Sequence, residues 1–350
     1  MPTPPAPDPR ATRAAIFLSL VLTVGAGVAM RWALAGRIPM VWDFAALRHA
    51  HAHLGYYGLL IPLAWLGWAA AGLPWPSARI RGVYALFVAM ATVGFLRAGY
   101  APDAIIGSTV VGGIWLWSAW STRSRLRSWM DPLGGLLPGM TLALACVPFV
   151  ARNTRHDPAL AQAWVATFLA ALLLLVVVPT ALGVLRVARP WPLLLGAGVL
   201  GSLTLGIWTH PVGQLGLAVY GVLLLPVHWT AHPVHLRAVW GALGLGVLVL
   251  AAGLLPNTRP VVIGAIHFAA LSVAVPTFAP LVGVSVRSHL WWVHHAAVAL
   301  LCLPIVLQAF GAGRWTWDVA ALGGTVVLAE VLGLLVWRAS HPAAGPVGSG

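Results

Sequence analysis

Charge is what this sequence has least of. Only 8% of its 350 residues are Asp, Glu, Lys or Arg, where a soluble domain carries about 25%. Acids are the scarcest, seven against 20 basic residues. So few ions cannot cover a water-soluble body of this length, which excludes a soluble enzyme, a disordered chain and a nucleic-acid-binding domain. Lysine is absent, and the arginines stand singly or in short groups between apolar runs. The net charge of +13 therefore reads as the orientation signal of membrane helices, with no nucleic-acid partner. Cysteine is almost missing too. Cys146 and Cys302 lie in separate apolar runs without C-x-x-C or Cys/His spacing, as small buried apolar side chains do. There is no P-loop, no G-x-G-x-x-G after a strand, no H-E-x-x-H and no pair of carboxylates.

What is present is hydrophobic: 60% of the chain, with a mean hydropathy of +0.90. The expectation is an all-α polytopic membrane helix bundle whose first partner is the lipid bilayer. Residues 1–13 read as a disordered proline-rich tail, 14–338 as a single transmembrane helical domain and 339–350 as a second disordered tail. Runs near the ~20 apolar residues that a crossing needs place spans at 14–34, 44–72, 83–100, 103–120, 133–151, 159–185, 190–209, 212–229, 236–255, 260–284, 289–310 and 316–338. That makes about twelve crossings with very short loops, so successive helices are antiparallel neighbours. The first run is long for a signal peptide and is interrupted by Arg31, so it reads as an uncleaved helix. No internal repeat stands out. Arginine is denser on the side that holds Arg10, Arg13, Arg79, Arg81 and the Arg123–Arg127 cluster. The positive-inside rule then makes both termini cytoplasmic, in a bacterial inner membrane.

Thirteen histidines in so apolar a chain are the informative anomaly, because ionisable groups within spans are costly and mark functional sites. An outer layer holds His49, His51, His53, His156, His210 and His267; an inner layer holds His228, His232, His235, His289, His294, His295 and His341. At 100° per residue His49 and His53 share a helix face while His51 points roughly the opposite way, so the three cannot all bind one metal from a regular helix. A single imidazole can instead serve as an axial haem ligand, and Gly55 and Gly58 leave room for a macrocycle. His267, in Val261–Ser272, lies at a depth comparable to His53, as two axial ligands of one haem require. The alternatives are snorkelling interfacial histidines and a core His267 bonded to a neighbouring carbonyl.

Arg48, with Arg31 and Arg97 nearby, is positioned to meet haem propionates, since Arg binds carboxylates bidentately; snorkelling to headgroups is the alternative. His210-Pro211 reads either as a copper ligand or as a loop cap. His294-His295 reads mainly as interfacial anchoring, because adjacent side chains diverge by about 100° on a helix. Glu330, the one acid deep in a span, is either a proton-relay residue or neutral and hydrogen-bonded.

These features resemble the haem-copper oxidase catalytic-subunit superfamily, and within it the NnrS-type haem- and copper-containing membrane proteins linked to nitric oxide stress. His51-Ala52-His53-Leu54-Gly55-Tyr56-Tyr57-Gly58 is similar to the family's second-helix H-A-H-x-x-x-x-G signature. The resemblance implies that His53 is a low-spin haem ligand. Gly264-Ala265-Ile266-His267-Phe268 is similar to the late segment that supplies the opposite ligand, and Arg152-Asn153-Thr154-Arg155 resembles a mid-chain Arg-Asn loop. Ala269 stands where oxidases carry a second ligating His, and His210 and His294-His295 fall in the wrong helix order for the oxidase copper site. The resemblance therefore implies one haem site and not terminal-oxidase activity.

The leading expectation is a haem protein with haem b between His53 and His267 and Arg48 at a propionate. It would serve electron transfer, with an electron-donor protein as partner, or the response to nitric oxide or another diatomic gas. A proton-coupled transporter using His and Glu330, and a metal-free scaffold or assembly partner of a respiratory complex, are the alternatives.

Overall fold

The computed structural model describes residues 10–70, 73–122, 136–187, 191–208, 210–284 and 287–340. The described residues are helical throughout, without a strand. In chain order the helices are α1 (Arg10–Leu34), α2 (44–70), α3 (Ala78–Ala98), α4 (Pro102–Thr122), α5 (Leu136–His156), α6 (Pro158–Val184) and α7 (Trp191–Thr204). They continue as α8 (Pro211–Thr230), α9 (Val234–Ala251), α10 (Arg259–Val282), α11 (Ser288–Leu307) and α12 (Trp315–Ser340). Nine of the described helices are long and apolar enough to cross a membrane, all but α2, α5 and α7. The outward surface is apolar, with Leu18, Leu86, Leu215, Leu303 and Val336 fully presented, which suits lipid and not water.

Helix ends fall close to the apolar runs, with two instructive differences. First, α1 begins at Arg10, inside the stretch read as a tail, and Arg13 Nε donates to Leu281 O at 3.2 Å, which ties this first turn to the bundle. Residues 1–9 and 341–350 of the expected tails lie outside the described residues. Second, α3 begins at Ala78 and not at 83, because Ser77 caps it by accepting from Ile80 N–H.

Sequential neighbours pack together, and α1 also packs against α12, which closes the outer helices around a centre formed by α2, α6 and α10. These three meet at Gly67, where an added methyl would lie 2.7 Å from Thr180 Cγ2 and 3.1 Å from Phe278 Cε1. Trp68 Nε1 donates to Thr180 Oγ1 across the same junction at 3.3 Å.

A repeated device that the sequence did not suggest marks the central helices. Each contains a π turn, Leu54–Leu60 in α2, Leu173–Val177 in α6 and Phe268–Ala274 in α10. Each is followed by a proline, Pro62, Pro179 and Pro276. In a regular helix the Tyr57 carbonyl would accept from Ile61 N–H. Here Ile61 N–H reaches back to Tyr56, and Pro62 has no N–H to give. The Tyr57 carbonyl is thus freed, and Tyr84 Oη donates to it at 2.7 Å. The same slip, Val178 to Leu173, frees Leu174, which accepts from Tyr220 Oη at 2.6 Å. In α10, Val275 N–H bonds Ala270, and the freed Leu271 carbonyl lies 2.9 Å from His294 Nε2. The chain therefore does carry an internal recurrence, in backbone geometry more than in side chains.

Tyr220→Phe would strand the Leu174 carbonyl, at a cost of about 1–3 kcal/mol for an unsatisfied buried group. Thermal unfolding in detergent should show this loss. It should shrink in a Pro179→Ala background, where residue 179 regains an N–H for that carbonyl, a coupling that a double-mutant cycle isolates.

Candidate functional site

The three histidines of α2 separate as the helical period demands. Asp43 caps the helix by accepting from Ala46 N–H at 2.8 Å, which fixes its start and so its rotation. His49 and His53 then face α3 together. Their rings lie 6.0 Å and 4.9 Å from that of Phe95, and His49 also meets the edge of Tyr100 at 4.7 Å. Tyr100, in the turn after α3, also lies edge-on to Phe95 at 5.4 Å. His51 points the opposite way, toward α1 and α10.

His53, the residue expected to pair with His267, does not face it. His53 Nε2 lies 2.7 Å from Ser108 Oγ, whose own hydroxyl is 2.7 Å from the Ala104 carbonyl. The hydroxyl hydrogen goes to that carbonyl, so His53 donates through Nε2 and its buried Nδ1 keeps a bare lone pair without a partner. Tyr57, with its ring 4.5 Å away, closes the pocket. The depth argument that singled out His53 is correct in register: His53 and His267 each stand nine residues before the proline of their helix. Depth, however, does not set direction around the helix axis.

His51 is the residue that meets His267. The two rings are nearly parallel, 14° apart, with centroids separated by 5.8 Å. His51 Nδ1 lies 2.8 Å from the Thr23 carbonyl, and His267 Nδ1 lies 2.8 Å from the Ile263 carbonyl. A carbonyl only accepts, so each Nδ1 carries the hydrogen and each Nε2 is left with a lone pair. Arg31 confirms this for His267: its guanidinium only donates, and Nη2 is 3.1 Å from His267 Nε2. Both rings are thus fixed in the tautomer a metal-binding imidazole needs, with the second nitrogen held by the main chain.

Arg31 is the central charge. It is 7% exposed, Nη1 donates to Gly27 O at 2.7 Å, and Nε is buried without a partner. No carboxylate forms an ion pair with it among the described residues. Gly27 lets the three groups converge: a methyl there would sit 2.9 Å from Arg31 Nη1 and 3.1 Å from His51 Cε1. Arg31 takes the place at His267 foreseen for Arg48, which is half-buried near the start of α2. Arg97 is held elsewhere, by Asp103 at 2.8 Å.

His210 is a helix cap and not a member of this group. Its Nδ1 accepts from Val212 N–H at 3.2 Å, and its ring stacks on Trp208 at 5.1 Å. Among the described residues, no three His, Cys, Asp or Glu side chains converge as a metal-holding group.

The inner histidines do more than anchor an interface. His235, His294 and His295 are buried, His235 Nδ1 lies 3.2 Å from His295 Nε2, and His294 Nδ1 lies 2.9 Å from Glu330 Oε2. Sequence reasoning missed Thr23, Gly27 and Ser108, which have no motif of their own. Val178-Pro179-Thr180 and Val275-Pro276-Thr277 recur in α6 and α10, but α2 carries Ile61-Pro62-Leu63 instead.

Ser108→Ala should leave both ring nitrogens of His53 unpartnered and lower the melting temperature by the equivalent of about 1–3 kcal/mol, without disturbing His51 and His267. No protein-family model matches this chain and no curated protein matches it, so the arrangement of these side chains carries the functional assignment.

Proposed function

We propose that this is a haem-binding integral membrane protein of the haem-copper oxidase-like kind, resembling the NnrS-type proteins, with His51 and His267 as the axial pair. The single observation behind this reading is the approach of two half-buried imidazoles from α2 and α10, each with Nδ1 held by a main-chain carbonyl. His51 and His267 would hold the metal of such a group through Nε2, the nitrogen that each Nδ1–carbonyl bond leaves with a lone pair.

Arg31 supports the same reading. A buried guanidinium without a carboxylate is costly unless an anion reaches it, and a carboxylate-bearing ligand seated between α1, α2 and α10 would supply one. Arg31, which donates to His267 Nε2, would bind a carboxylate of such a ligand. When bound, haem b supplies a one-electron couple tuned by its axial ligands and by the dryness around it. That chemistry would serve electron transfer with an electron-donor protein, or the response to nitric oxide or another diatomic gas. Copper has less support, because His210 is committed as a cap.

The helices α1 to α12 read as twelve crossings with both termini in the cytoplasm of a bacterial inner membrane, by the arginine bias noted above. Proton-coupled transport is the second reading, and the part-buried His294–Glu330 pair is what favours it.

The purified protein should show a haem spectrum that changes between reduced and oxidised forms. The bands should collapse in His51→Ala and His267→Ala and persist in His53→Ala. A colourless wild type, or bands unchanged in both His51→Ala and His267→Ala, overturns the assignment.

A further inference from the structure

We propose that Glu330 and His294, backed by His295 and His235, form a proton-holding site in the inner half of the bundle, loaded from the end where α9 begins. This goes beyond the haem reading and does not depend on it. Glu330 is the only glutamate in the chain and lies in the middle of α12. A carboxyl in a membrane helix is costly, and such groups commonly mark proton sites.

The hydrogen bonding allows few protonation states. His294 Nε2 lies 2.9 Å from the Leu271 carbonyl, which only accepts, so that nitrogen carries a hydrogen. Nδ1 lies 2.9 Å from Glu330 Oε2. That contact requires one proton, placed either on the carboxyl, which donates to a bare Nδ1, or on Nδ1 of an imidazolium facing a carboxylate. Moving it breaks one O–H bond and forms one N–H bond, with no net change in charge. Removing it sets a lone pair against a carboxylate oxygen and destroys the contact. The second carboxyl oxygen, Oε1, is buried without a partner. A neutral carboxyl tolerates that better than a carboxylate, so the proton rests on Glu330.

His235 and His295 lead toward this pair, with a ring contact and no hydrogen bond between His295 and His294 among the described residues. His295 follows His294 on α11, with ring centroids 5.7 Å apart, and its Nε2 is 3.2 Å from His235 Nδ1. His295 Nδ1 is buried and unpartnered, free to take or give a proton. His235 is the second residue of α9, just after the exposed His232 that Arg237 holds at 3.0 Å. Trp291 covers the relay, stacked on His235 at 5.4 Å and edge-on to His294 at 5.6 Å.

The groups around α11 are accounted for. From α12 comes Glu330, and from α9 come His235 and an Arg237 turned to the Ala231 carbonyl. From α10 come the Leu271 carbonyl, the unpartnered Ser272 hydroxyl and, a turn away, His267. On α11 itself stand His289, His295 and Cys302.

Infrared difference spectroscopy of the full-length protein, in water and in deuterium oxide, tests this. At neutral pH the wild type should show the C=O stretch of a protonated carboxyl group, lost in Glu330→Gln and shifted in His294→Gln. In His235→Phe the band should persist while its shift on transfer to deuterium oxide slows. A wild type without that band at neutral pH, or a band retained in Glu330→Gln, overturns the site. Exchange as fast in His235→Phe as in the wild type overturns the route. The wild-type spectrum decides the first point even if a variant fails to fold, and none of these outcomes depends on haem content.

Discussion

Lipid offers no hydrogen bonds, so every main-chain N–H and C=O inside a bundle must find its partner within the protein. The central helices α2, α6 and α10 each break that rule once, where a π turn runs into a proline, and each break is repaired by a side chain from a neighbouring helix. Tyr84 and Tyr220 make two of the repairs and His294 the third. The repair fixes a neighbour's rotation as well as its distance, because a phenol or imidazole reaches a carbonyl from one direction only. The junction at Gly67, Thr180 and Phe278 then draws the three repaired helices together. For α10 the donor is an imidazole of α11 whose other nitrogen meets Glu330, which joins this repair to a second polar group.

The π turns also bear on the outer histidines. His53 and His267 immediately precede the π turns of α2 and α10. A slip in register there turns everything beyond it relative to everything before it. The N-terminal halves of α2 and α10 can therefore hold their histidines at angles the proline-bearing halves do not dictate. This is how equal spacing from Pro62 and Pro276 coexists with rings that face different neighbours.

Much of the fold was legible because hydrophobicity and length alone specify membrane helices. The described helices follow the apolar runs, and the misplaced ends trace to a cap at Ser77 and a tether at Arg13, neither of which hydropathy registers. The site was half legible. The helical period separated His51 from His49 and His53, but choosing His53 relied on depth and on a motif, while direction depends on what surrounds the helix. Phe95, Tyr100 and Ser108 take one face, and Thr23 and Gly27 of α1 take the other. No local signal links residue 27 to residue 51. The recurrence in α2, α6 and α10 was hidden because it lives in carbonyls, which the sequence does not spell.

Arg31 and Glu330 pose opposite electrostatic problems a few turns apart. The acid has a local partner, since His294 Nδ1 lies 2.9 Å from its carboxyl group. The guanidinium cannot become neutral, because Arg remains protonated under all ordinary conditions. Its contacts are a carbonyl and an imidazole lone pair, both neutral acceptors, and Nε has none. Neutral acceptors offset only part of the cost of a buried charge. None of the chain's seven acids pairs with Arg31 among the described residues, so its charge is left unbalanced there. In the proposed reading, a ligand bearing a carboxylate would balance that charge and release the His267 Nε2 lone pair that Arg31 now occupies. A structural role for His51 and His267 accounts for their Nδ1 bonds to the Thr23 and Ile263 carbonyls and leaves the charge on Arg31 unbalanced.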